Sequence, residues 1–247
     1  MELNQQMIFS RSRRLLGEEA MDRLDSVRVI VFGVGGVGSW CVESLVRTGL
    51  RHITIVDSDR VAESNINRQL MATCSTVGEV KVEAMKRHLL DINPDAEIET
   101  RCELFTAETA DSFNLDSYDY IVDAIDSLSD KMALIEAATR TRAGFYSSMG
   151  AALKIDPTRI RVDEFWKVKG CPLARAPRQR FKRLKRFPAR KFKCVYSEEL
   201  LENRPMPAEM EESPGHGKVA WNGSLMHITA TFGLTLAGLI IEDIYKG

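Results

Sequence analysis

No C-x-x-C pair occurs among the five cysteines (Cys41, Cys74, Cys102, Cys171 and Cys194), and they form no even-numbered framework. That spacing excludes a disulfide scaffold and a four-thiolate site, so no zinc is expected. Residues 1–16 lack an apolar core followed by a small-residue cleavage site, so no secretory signal is expected. A reducing, cytoplasmic setting is then the default. No internal repeat is present. Nor is there the bias of a collagen-like, fibrous or disordered chain: 247 residues, 44% hydrophobic and 28% charged, suit one α/β domain or at most two small ones.

The most informative absence is of acid. Between Glu164 and Glu198 there is no acidic residue, while twelve basic ones occur: Lys167, Lys169, Arg175, Arg178, Arg180, Lys182, Arg183, Lys185, Arg186, Arg190, Lys191 and Lys193. The net charge of −1 hides this, because the rest of the chain carries 22 basic against 35 acidic residues. A solvated face explains most charge runs. A run this long in an otherwise acidic chain is the electrostatic footprint of a polyanion-binding element.

Along the chain, strand and helix patterns alternate. Residues 27–32 form a β-branched apolar run ending at glycines, 37–48 have helical spacing, and 52–56 form a second run ending in Asp57. Strand, glycine turn, helix and strand make a βαβ unit, which crosses over right-handed into a parallel sheet. A helix over 79–92 stops at Asn93-Pro94, and a strand over 97–105 follows. A short helix near 106–113, a strand over 118–125, a helix over 129–142 and a strand near 144–149 complete the alternation. The fold class expected is a doubly wound, mostly parallel, Rossmann-like α/β sheet. A single domain over 1–247 is expected, with 164–197 a basic crossover excursion, helical around 178–187. From Asn222 to Ile241 twenty uncharged residues match a membrane span in length, but three glycines and several polar side chains interrupt them. The segment 222–245 reads as a buried core helix, with peripheral membrane contact through 222–241 as the alternative.

Gly33, Gly35, Gly36 and Gly38 satisfy G-x-G-x-x-G between a strand and a helix. Glycines there let backbone amides approach phosphate oxygens at a helix N-terminus. Asp57, at the end of the second strand, is placed to hold ribose hydroxyls. This much does not choose between a dinucleotide and ATP. The following residues do: Asp57-Ser58-Asp59, then Ser64-Asn65-Ile66-Asn67-Arg68-Gln69, Lys81, and Asp123-Ala124-Ile125-Asp126.

In that order and spacing, the sequence resembles the ubiquitin-activating-enzyme-like (HesA/MoeB/ThiF) family of adenylating enzymes across residues 11–150. The resemblance implies a site for ATP and Mg2+. Gly36 would press against the nucleotide and Asp57 would bind the ribose, within a set that includes Asp59, Ser64 and Ser127. Asn65, Arg68 and Lys81 would bind phosphates, with Gln69 beside them, and Asp126 would hold magnesium. Family members usually carry Asn where this chain has Ser127, a smaller donor. The resemblance also implies a homodimer in which Arg14, with Arg13 as fallback, completes the partner subunit's site. A monovalent cation stays open.

Within that family the zinc-binding C-x-x-C pairs of the molybdopterin and thiamine branches are absent. Other segments resemble the tRNA threonylcarbamoyladenosine dehydratase branch: R-L-L-G at 14–17, G-G-V-G-S-W at 35–40, R-T-G at 47–49, D-A-I-D-S at 123–127, I-D-P-T at 155–158 and T-A-T-F-G at 229–233. The implied reaction is ATP-dependent cyclisation of threonylcarbamoyladenosine in tRNA through an acyl-adenylate. Ring closure is intramolecular, so no protein nucleophile is needed. The basic stretch would then hold the anticodon arm through Arg178, Arg180, Lys182, Arg183, Lys185 and Arg186, with Phe181, Phe187 or Phe192 stacking on an unpaired base. Cys194, flanked by cations that would lower a thiol pKa, is the first candidate for acyl or sulfur transfer, Cys171 is a weaker one, and Cys41 reads as packing. Rivals are adenylation of a ubiquitin-like or sulfur-carrier protein, an NAD-dependent oxidoreductase, and a non-catalytic RNA-binding module.

Overall fold

A computed structural model of the protein describes residues 5–207 and 222–247. Strand β1 (Arg28–Phe32) buries both faces: Val29 and Val31 point into one core cluster, Ile30 and Phe32 into the other. A near-continuous apolar run is what a central parallel strand covered by helices on both sides requires. Beside β1 lie β2 (His52–Val56) and β3 (Glu97–Arg101) in one direction. In the other lie β4 (Tyr120–Asp123), β5 (Gly144–Ser148), β7 (Lys193–Ser197) and β6 (Ile160–Glu164). The order is β3-β2-β1-β4-β5-β7-β6, all parallel except β6, which runs antiparallel to β7. The chain leaves β1 toward one edge and resumes at β4 toward the other, which opens a crevice at the carboxyl ends of those two strands.

Three short helices precede β1: α1 (Gln5–Ile8), α2 (Ser10–Leu16) and α3 (Glu18–Ser26). Helices α4 (Gly38–Thr48) and α5 (Lys81–Ile92) cover one face, and α6 (Leu128–Ala138) and α7 (Pro172–Leu184) the other. The second face is aromatic: Phe32, Phe105 and Phe113 meet edge-on or tilted, and Phe165 stacks on Phe192 at 4.9 Å.

The chain after β5 is more ordered than its sequence pattern suggests. Residues 160–164 pair as β6, and 193–197, within the expected excursion, form β7. The helix begins at Pro172, six residues before the expected start, because Ala174, Pro177 and Phe181 give it a buried stripe. The strand expected over 97–105 stops at Arg101, and the helix near 106–113 is a single 3-10 turn, Ala110–Phe113.

Helix α8 (Met226–Lys246) is long and apolar enough to cross a membrane by length and composition, yet half of it is buried in the domain. Ile228, Phe232, Leu236, Ile240 and Ile244 recur every fourth residue on the inward face. That placement agrees with a core helix. Gly233 permits the crossing with α4, since a Cβ there would sit 2.3 Å from the Val37 carbonyl oxygen. Gly233→Ala is therefore expected to cost about 1–3 kcal/mol through overpacking. Thermal unfolding checks this: a melting temperature several degrees lower is expected, and an unchanged one would mean the helix pair has slack.

Candidate active site

A cleft of about 580 Å3 occupies the crevice, within the usual range for a small-molecule site. Its floor is the turn after β1. Gly33 has φ +84°, a left-handed value, and a Cβ there would lie 2.8 Å from the Ala124 carbonyl oxygen. Gly35 and Gly36 line the cleft. Gly38 does not; a Cβ on it would fall 1.8 Å from the Gly33 carbonyl oxygen, so its task is to let α4 start directly behind the loop.

Asp57 holds this turn. Its carboxylate accepts N–H bonds from Val34 at 2.9 Å and from Asp59 at 3.0 Å. Burial raises its pKa, while the Lys81 ammonium and those donors pull the other way. The segment over the loop is fixed by Trp40, whose indole N–H donates to the Arg68 carbonyl at 3.1 Å, and by Ser39, whose hydroxyl donates to Gly35 O at 2.6 Å and accepts from Leu70 N. Arg68 then reaches the cleft with its guanidinium donating to Ser64 O at 2.7 Å and Asn67 Oδ1 at 2.8 Å. Lys81, the first residue of α5, is 5% exposed and places Nζ 2.8 Å from Asp59 and 3.9 Å from Asp57.

Gln69 adds an independent sign of a ligand. It is buried in the cleft wall, and no described residue donates to its Oε1. A buried amide left so calls for a polar partner.

Beside the glycine loop, β4 ends in Asp123 and the chain turns through Asp126, which is exposed at the cleft wall, to Ser127 at the start of α6. That turn rests on a buried network that the sequence pattern did not reveal. The Asp123 carboxylate, fully buried, accepts from Lys131 Nζ at 2.6 Å, Ser147 Oγ at 2.6 Å and Ile125 N at 3.0 Å. Lys131 also donates to Ser148 O at 2.9 Å, bracing β4 against β5. The motif spacing marked Asp123, but nothing local marked Lys131 or Ser147 as its partners.

Other expected residues sit elsewhere. Ser64 and Asn65 do not line the cleft; the Asn65 carboxamide accepts from Ala62 N at 3.1 Å and shapes the turn. Arg14 is exposed on α2, away from the cleft of its own chain, and Arg13 pairs with Glu18.

The first turn of α7 (Pro172, Leu173 and Ala176) forms the far cleft wall. Of the six basic residues singled out, Arg180, Lys182, Arg183, Lys185 and Arg186 are exposed. Arg178 is turned inward, donating to the carbonyls of Ala174 at 3.0 Å, Trp166 at 3.1 Å and Val168 at 2.6 Å, and Arg186 pairs with Glu136. Phe181 and Phe192 are core residues, so stacking is left to Phe187, which is 57% exposed. Cys194 differs from its expected character too. It is fully buried in β7, and burial pushes its thiol pKa well up despite nearby Lys131. Cys41 is buried as expected for packing, its pKa raised to about 12.

Residues 9–244 match the ThiF family. Over 71% of its length the chain is 39% identical to 69% of the tRNA threonylcarbamoyladenosine dehydratase of Bacillus subtilis. Against the enzyme of that name from Haemophilus influenzae it is 32% identical, over 98% of this chain and 95% of the other. A solved structure of the E. coli tRNA N6-threonylcarbamoyladenosine dehydratase in complex with ATP superposes with a TM-score of 0.85 at 31% identity, covering 100% of this chain and 98% of that one.

Proposed function

We propose that this chain, which belongs to the ThiF family in its tRNA threonylcarbamoyladenosine dehydratase branch, uses ATP to cyclise threonylcarbamoyladenosine in tRNA. The observation that carries the reading is the end-to-end likeness to dehydratases of that name. The site suits the chemistry. A glycine turn at the start of α4 receives phosphate oxygens, Asp57 stands at the ribose end, and Arg68 and Lys81 offset the charge that grows on the α-phosphorus and pyrophosphate.

The substrate carboxylate attacks the α-phosphorus of ATP and pyrophosphate leaves. The carbamoyl oxygen then attacks the activated acyl carbon, AMP leaves, and the net change in the nucleoside is loss of one water. With both reacting groups on one substrate, the protein's task is to hold them in line and exclude bulk water. Among the described residues no group of three or more acidic, histidine or cysteine side chains could cage a metal. Mg2+ would be held by Asp126 together with the nucleotide's own phosphates, as is usual for this ion, where it would neutralise developing charge.

The proposed assembly is a cytoplasmic homodimer in which Arg14 crosses to the other subunit's site. Its exposure on α2, beside the exposed Leu15 and Met7, supports that arrangement. The anticodon arm would lie along α7. Replacing Arg180 and Arg183 with Gln, and Lys185 with Asn, is expected to weaken tRNA binding and to flatten its salt dependence by about 0.7 in log–log slope for each phosphate no longer neutralised. Asn is chosen at 185 because Lys185 has φ +52°, a conformation Asn tolerates. ATP affinity should stay unchanged; an unaltered tRNA salt slope would remove α7 from the interface.

The deciding experiment is one reaction. The protein is incubated with Mg2+, ATP and total bacterial tRNA, and the digested nucleosides are analysed by mass spectrometry. Threonylcarbamoyladenosine lighter by one water, with AMP in proportion, is the expected result. Its absence with ATP binding intact would favour a carrier-protein substrate, detectable as carrier-dependent exchange of pyrophosphate into ATP.

A further inference from the structure

We propose that Trp166, Lys182 and Phe187 form a stacking shelf for one unpaired base of the RNA substrate, an inference that rests on the tRNA reading above. Three of the four phenylalanines in the basic segment and its approach (Phe165, Phe181 and Phe192) are buried, but Phe187 presents 57% of its surface to solvent. It is not a loose side chain on an open loop. Its ring lies 6.0 Å from that of Trp166 at a 47° tilt, and Lys182 Nζ sits 5.9 Å from the indole centroid on the same cluster. Trp166 is braced from beneath by the edge of Phe165 at 5.2 Å, and its carbonyl is held by Arg178. The shelf is thus pre-formed, with an exposed aromatic ring and a cation on the same cluster.

Charge specifies the occupant. Exposed Lys167, Lys169, Arg180, Arg183 and Lys185 belong to the segment around the shelf, and no acid occurs between Glu164 and Glu198. Two carboxylates reach the cluster, Glu164 accepting from Trp166 N at 3.2 Å and Glu136 pairing with Arg186, but the exposed cations outnumber them. An apolar ring amid such an excess suits a π-face carried on a phosphate backbone better than it suits a protein side chain. Position agrees. Leu173 lines the cleft, and the helical rise from there to Lys182 is about 14 Å. A nucleotide reacting in the cleft would leave its loop neighbours over the far turns of α7. The exposed Phe187 ring carries no hydrogen-bonding group, so stacking on it should tolerate any base and require only that one be present.

The test is binding of a labelled anticodon stem-loop RNA, and of the same RNA with single abasic nucleotides along the loop, to the full chain. Phe187→Ala is expected to weaken the intact RNA about tenfold, with Phe187→Tyr restoring it. One abasic position should cost the wild type a similar factor and cost Phe187→Ala nothing further. Affinity within twofold of wild type in Phe187→Ala, or losses that add fully at every abasic position, would overturn the shelf while leaving tRNA dehydration standing. A wild-type protein that neither binds the RNA nor dehydrates tRNA would overturn both.

Discussion

Arg68→Ala and Asp126→Ala are each expected to lower the dehydration rate by at least about a hundredfold, the scale for losing one charge-stabilising group. Both residues line the cleft, one on the segment pinned over the glycine loop, the other on the turn after β4. Their losses should differ in kind. Arg68 has its guanidinium oriented by Ser64 O and Asn67 Oδ1 before any ligand arrives, so its removal should weaken ATP and slow the chemical step together. Asp126 is exposed at the turn, so its variant should fold, and extra Mg2+ should recover part of its activity. Steady-state kinetics across a Mg2+ series, with a melting curve for each variant, separates these outcomes. Near-normal turnover in both would remove the active-site assignment.

The largest expected effect on stability comes from a residue that touches no ligand. Lys131→Met should leave the Asp123 carboxylate fully buried without the cation that pairs with it among the described residues, and breaking such a pair costs about 3–5 kcal/mol. Whole domains are stable by only about 5–15 kcal/mol. A fall of about ten degrees or more in melting temperature is therefore expected. The double variant Asp123→Asn with Lys131→Met should regain most of it, because the desolvated charge is removed while the carboxamide oxygen still accepts from Ile125 N and its NH2 donates to Ser147 Oγ, which can act as an acceptor. Its activity should not return to the same degree, since that carboxylate fixes the turn bearing Asp126. A small loss in Lys131→Met would mean that Ser147 and Ile125 satisfy Asp123 without the lysine.

What the sequence made legible was local. The glycine turn, Asp57, Arg68, Gln69, Lys81 and Asp126 fall within short stretches whose spacing fixes their geometry, and the structure gathers all six around one cleft. Ser64, Asn65 and Gly38 belong to the same stretches but serve the turns that carry the others, a distinction spacing does not encode. The basic segment was legible as a charge excess and not as a surface. Facing is decided by the buried stripe of Ala174, Pro177 and Phe181, and a proline within a run of arginines disguises that stripe. The stripe turns Arg178 back onto the carbonyls of its own approach, and the same burial takes Phe181 and Phe192 out of solvent. Cys194 shows the same limit from the other side. Its lysine neighbours in sequence suggested an activated thiol, but in a strand adjacent side chains point to opposite faces, and Cys194 lies in the core.

The antiparallel pairing of β6 with β7 has a consequence for how this protein can change over generations. Glu164 lies opposite Lys193, so residues 165–192 leave the sheet and return to it at neighbouring positions. Lengthening such a closed loop costs little, about 0.6 kcal/mol for each doubling. The ladder clamps both ends, and the inward stripe of α7 is committed to the core. The outward face is under neither constraint. On the tRNA-binding role proposed for α7, substitutions and insertions there would retune which RNA loops are accepted while the ATP cleft keeps its geometry, making substrate choice and chemistry separable under selection.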